Sequence, residues 1–136
     1  MSNTKPIGVA FLDQDIIGAD FLYSDREIGY TSSGQGSVTQ ATSKSTGVTL
    51  NRSMGRITMN NAALAGGAAA TFTLTNSLIS AKDAIIVTIS GGATAAAYTA
   101  YVTSMTAGSA DISLRNLTAG SLSEAVIVNY AIIHGQ

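Results

Sequence analysis

The side chains able to do acid–base, metal or covalent chemistry are few and widely spaced. His134 is the single histidine, two residues from the C-terminal end and just after an apolar run. General-base catalysis needs an imidazole held by an orienting partner, and a chain end anchors one poorly. Asp13-Gln14-Asp15 has the one-residue spacing that opens some calcium loops, but the twelfth position, Ser24, offers no bidentate carboxylate. Ser43-Lys44-Ser45-Thr46-Gly47 lacks the Ser-x-x-Lys spacing that puts hydroxyl and amine on one helical face, and reads as a polar loop or strand end. Gly34-Gln35-Gly36 is followed by neither a third glycine nor a helix, so no dipole is there to cradle phosphate. There is no cysteine, which removes disulfides, thiolate nucleophiles and Cys-ligated metals together. From these residues the expectation is no catalytic residue, no metal ligand, no cofactor and no enzyme activity.

Nucleic acid is an equally poor match. Seven basic side chains against eight acidic ones give a formal net charge of −1, and Lys44, Arg52, Arg56, Lys82 and Arg115 are scattered rather than clustered. Tyr98 and Tyr101 are three apart, which puts them on opposite faces of a strand rather than on one stacking platform.

The elements that must position these residues have a period of two. Val38, Ile57 and Met59, Phe72 and Leu74, then Tyr98, Ala100 and Val102 alternate with small polar residues, as half-buried strands do. Asp83 to Ser90 holds the β-branched run Ile85-Ile86-Val87 with Thr88 and Ile89, and is expected to be a central strand. Ser90-Gly91-Gly92-Ala93 is expected to close a hairpin into the next strand. Thr106-Ala107-Gly108-Ser109 and Thr118-Ala119-Gly120-Ser121 introduce the last two strands. Asn61 to Ala70 is alanine-rich but interrupted by Gly66-Gly67, and reads as a flexible crossover rather than a helix. About eight strands with turn signals at short intervals predict an all-β fold, an antiparallel jelly-roll-like β-sandwich.

Charge and aromatics set the first 36 residues apart. They carry five acids against two bases, whereas residues 37–136 carry three acids against five bases. Phe11, Phe21, Tyr23 and Tyr30, half of all the aromatics, stand there between glycines. The expected organisation is an N-terminal arm, residues 1–36, on a β domain of residues 37–136. The start of the chain has no 7 to 15 residue apolar run after its lysine, unlike a secretory signal, and the apolar stretch Ala125 to Ile133 falls far short of the roughly 20 residues a membrane helix needs. No membrane partner is expected.

Alanine, serine, threonine and glycine make up 67 of the 136 residues, and charged residues only 11%. So much small and apolar surface with so little charge calls for a covering partner, and a homo-oligomer, dimer or trimer, is expected. Within that domain, Gly36-Ser37-Val38-Thr39-Gln40-Ala41-Thr42-Ser43-Lys44-Ser45-Thr46-Gly47-Val48-Thr49-Leu50-Asn51, then Ile57-Thr58-Met59-Asn60, resembles small virion proteins of tailed bacteriophages. So does the ending Ser121-Leu122-Ser123-Glu124-Ala125-Val126-Ile127-Val128-Asn129-Tyr130-Ala131. The likeness covers about residues 34–136. It implies a capsid decoration or cement protein on the outer surface of the phage head, bridging neighbouring major capsid proteins, or alternatively a fibre or receptor-binding β module. Phe11, Asp13, Asp15, Phe21 and Tyr23 of the acidic arm are the expected contacts to capsid or neighbouring subunit.

Overall fold

The computed structural model of the chain describes residues 18–135. After one 3-10 turn at Ser32–Gly34 come eight strands: β1 Gln35–Thr39, β2 Val48–Thr49, β3 Met54–Thr58, β4 Ala69–Thr75, β5 Ala84–Gly91, β6 Tyr98–Thr106, β7 Ser109–Asn116 and β8 Ile127–Ile133. They form two sheets of four, ordered β1-β3-β8-β5 and β2-β4-β7-β6. The expected all-β sandwich is what the chain builds, with β1 beginning at Gln35.

Alternation explains the core. In β4 every second residue is buried, so Ala70, Phe72 and Leu74 turn inward while Ala69, Thr71, Thr73 and Thr75 face water. Phe72, Leu74, Ile112 and Leu114 of the second sheet meet Ile57, Val128, Tyr130 and Ile132 of the first in one continuous cluster. Each such side chain removed from water contributes roughly 1.5–3 kcal/mol. Tyr130 lies within that core, and its hydroxyl is 3.1 and 3.0 Å from the carbonyls of Leu50 and Arg52 and accepts from Asn76 Nδ2 at 3.2 Å. Burial pushes this phenol up to about 12.

Strand direction follows one rule. Every connection reverses the chain, so neighbours separated by an odd number of strands run antiparallel: β3–β8, β5–β8, β4–β7 and β6–β7. Those two apart, β1–β3 and β2–β4, run parallel. The uniformly antiparallel arrangement expected from sequence therefore fails at these two pairs, because β1 to β4 step back and forth between the sheets instead of forming hairpins.

Two further expectations are corrected. Asp83–Ser90 is not central: β5 lies at the edge of its sheet, and β8 is a strand with neighbours on both sides. Its β-branched residues specify extended backbone and an inward row, Ile85, Val87 and Ile89, but not a place in the order. Ser90 to Ala93 closes no hairpin, since β5 pairs with β8 and β6 with β7; the segment crosses from one sheet to the other. The hairpin that does form joins β6 to β7 through Ala107-Gly108, with Gly108 at φ 84°. Asn61 to Ala70 is a crossover as expected, yet a tied one: Leu64 and Leu122 exchange backbone hydrogen bonds of 2.9 and 3.1 Å, and Gly67 N–H donates to Asn116 O at 3.0 Å.

Candidate functional site

Three surfaces stand out: the arm, and the outward face of each sheet. Residues 18–31 of the arm are all solvent-exposed and contain no regular secondary structure. Extended backbone puts residues two apart on one side, and Phe21 and Tyr23 accordingly stack, ring centroids 5.8 Å apart. They are 75% and 83% exposed, resting on each other rather than on the sandwich. Of the five expected contact residues the structure brings these two together; Phe11, Asp13 and Asp15 lie outside the described residues.

The arm's base is fastened. Tyr30 donates its hydroxyl to the Ile132 carbonyl of β8, and Gln35 Nε2 donates to Tyr30 O at 2.9 Å. Ile28 and Tyr30 thereby wall a cleft of about 410 Å³ whose floor is Met54, Ala131 and Ile133 on the outward face of the first sheet. On that face the cross-strand row Met54, Ala131, Ile86 is apolar, as is the pair Ala84 and Ile133, while the next row, Arg56, Asn129, Thr88, is polar. Ile86 and Ile133 are half-exposed. Sequence reasoning marks none of Ile28, Met54, Ile86 and Ile133. An alternating strand with isoleucine at both phases is the available signal.

The outward face of the second sheet is built of hydroxyls. Thr71 and Ser113 hydroxyls lie 2.6 Å apart, Thr73 and Ser104 each donate to Asp111 at 2.7 Å, and Thr106 meets Ser109 at 3.0 Å. The Ser104 hydroxyl first, and then that of Thr73, hold the Asp111 carboxyl below the usual carboxylate range. Tyr101 stands exposed opposite Ser113, with Arg115 two residues further along β7.

His134 does have a partner. Its Nδ1 lies 3.2 Å from Asp83 Oδ2, and Asp83 also accepts from Ser80 N–H at 2.8 Å, Ser80 Oγ at 2.9 Å and Gly135 N–H at 3.1 Å. The Ser80 N–H above all, helped by its hydroxyl and by Gly135, holds the Asp83 carboxyl down at about 2. The serine proton goes to the carboxylate, not to the imidazole, so the trio clamps the chain end onto the turn before β5 and does not activate a nucleophile.

Lys44, read from sequence as part of a polar loop, is buried with its ammonium donating to the carbonyls of Asn60 and Glu124. Burial lowers its pKa, opposed by the Glu124 carboxylate. Glu124 is itself held by the hydroxyl and N–H of Thr94 at 2.7 and 3.1 Å. Gln40 completes the plug, donating to Lys44 O and Thr46 O and accepting from Asn60 N–H. Beside it the Tyr98 hydroxyl is buried and finds no hydrogen-bond partner among the described residues; burial, then the Glu124 carboxylate, push that phenol up to about 12. These groups are committed to closing one end of the sandwich.

Among the described residues no three histidine, cysteine or carboxylate side chains gather as a metal site would require, and no helix is long and apolar enough to cross a membrane. No family model matches the chain, and neither the comparison with curated proteins nor that with solved structures returns a match.

Proposed function

We propose that the protein is a structural virion protein that decorates a bacteriophage head and stabilises it by bridging neighbouring major capsid proteins. The observation that carries this reading is an arm whose large apolar side chains among the described residues stand in water, tethered through Tyr30 to a sandwich with a continuous core of its own. Phe21, Leu22, Tyr23 and Ile28 stay largely exposed in the chain's own fold, and contact with another protein surface is what would bury them. The resemblance of residues 34–136 to small virion proteins supports the same role. A decoration protein works by mass action: binding only the assembled shell at a hundred times its Kd lowers that state by about 2.7 kcal/mol per site.

Cosedimentation with purified heads tests this. Saturable binding, abolished by deleting residues 1–30, is expected; binding that survives the deletion unchanged would refute the arm's role. A second reading, a fibre or receptor-binding module, draws on Tyr101 exposed amid the hydroxyl-lined face of the second sheet. Binding to host cells alone, lost in Tyr101→Ala, would favour it.

A further inference from the structure

Two unsatisfied features of this molecule match one another. The first is the outer edge of β5, which pairs with no strand among the described residues. Edge strands expose unpaired N–H and C=O groups, and folded proteins usually blunt them with charges, proline, bulges or brevity. In the second sheet β6 is broken by an irregularity between Val102 and Ser104, and β2 has two residues. At the other edge of the first sheet β1 has five. β5 has none of these protections along most of its length: Ala84–Gly91 carries no charge and no proline, and its pairing with β8 is regular from Ala84 to Ile89. Its outward face shows Ile86, 50% exposed, beside Ile133 at 55%. Lys82, two residues before β5, borders the patch and has no carboxylate within 4 Å among the described residues.

The second feature is the arm. Among the described residues, positions 18–29 form no backbone–backbone hydrogen bond. Among the described residues, only the Arg26 N–H and the Glu27 carbonyl are engaged by a side chain, both by the Ser24 hydroxyl, which leaves the donors and acceptors around Phe21 and Tyr23 open to a partner. The segment carries Asp20, Asp25 and Glu27 against Arg26, opposite in sign to Lys82. Phe21, Leu22 and Tyr23 have no proline near them, and the two aromatics favour extended backbone. From its fastening at Tyr30 the segment back to Gly18 can reach roughly 40 Å when extended. A domain of about 100 residues has a radius of gyration near 13 Å, hence a diameter of roughly 34 Å, so that reach extends past the parent sandwich.

We propose that the arm of one copy adds as a strand to the open edge of β5 on a second copy, seating the Phe21–Tyr23 pair over Ile86 and Ile133 and its carboxylates beside Lys82. Main-chain hydrogen bonds supply the attachment, and the apolar row supplies register. Arm exchange is a property of the isolated chain and needs no capsid. Its failure would leave head binding untouched, and failure of head binding would leave it standing.

The absence of cysteine makes the test direct. Full-length Phe21→Cys and Ile86→Cys, both at exposed positions, are mixed and mildly oxidised. Expected is a covalent dimer joining the two variants, forming roughly 10²–10³ times faster than random collision at micromolar concentration, as a millimolar effective concentration gives. Native mass measurement of the wild-type chain should show an oligomer. Ile86→Lys should dissociate it, with the urea midpoint unchanged as the check that the variant folds. A monomeric wild-type chain at about 0.1 mM would overturn the proposal. So would disulfides only between like variants, or an intrachain disulfide in the highly diluted double variant.

Discussion

Single residues decide how tightly the sandwich closes. At Gly55 any Cβ would enter the Tyr130 ring, which is locked in the core, and meet the half-buried Leu50 side chain. Gly55→Ala is therefore expected to cost about 1–3 kcal/mol, the range of overpacked cores, read as a lower urea midpoint. Lys44→Ala strips the Asn60 and Glu124 carbonyls of their donor and should cost a similar 1–3 kcal/mol, roughly, by the same measurement. Asp83 adds a pH dependence whose sign is fixed. Its pKa is depressed from 3.8 to about 2, so its contribution is complete above the unfolded value and is lost as acid takes the pH down through the folded one. Asp83→Asn should lower the urea midpoint at neutral pH, with the gap to wild type closing between about pH 4 and pH 2.

At the scale of elements, turns and edges carry the information. Gly108 sits at φ 84° with open space around it, so Gly108→Ala costs only what the backbone demands, about 1–2 kcal/mol. Gly120 also has open space but no positive φ, and Gly120→Ala should leave the midpoint within about 0.5 kcal/mol. The pair of urea titrations separates conformation from packing. The Gly-containing turn at 106–109 is legible in sequence because a two-residue loop leaves the chain no other way to reverse. Ser90 to Ala93 carries the same turn chemistry and yet joins two sheets, since local signals specify a reversal and not which partner lies beyond it. For the same reason the run in β5 announces a strand without announcing an edge.

For the molecule as a whole, arm and sandwich are energetically separable. Phe21 and Tyr23 touch each other and solvent, so Phe21→Ser with Tyr23→Ser should leave the urea midpoint within about 0.5 kcal/mol and, under the arm-exchange proposal, yield a monomer in sedimentation. If the double variant lost stability instead, the arm would belong to the core. Sequence reasoning singles out these two aromatics because aromatic side chains are concentrated in an acidic, glycine-punctuated segment. It misses the surface offered in return, Met54, Ile86, Ala131 and Ile133, because those residues come from three strands and become neighbours only through cross-strand register.

The order of residues along the chain is enough to determine the all-β class, the inward rows of the strands and the distinct character of the arm, because side-chain alternation and composition are local properties of extended backbone. Tertiary structure alone decides the rest: which strands neighbour one another, why β1–β3 and β2–β4 run parallel, that β5 is left with an open edge, and that Lys44 and Asp83 are buried in hydrogen-bonded clamps. Those depend on contacts between residues far apart in sequence, where many pairings satisfy the same alternating pattern and only the packing of both sheets around one core selects among them.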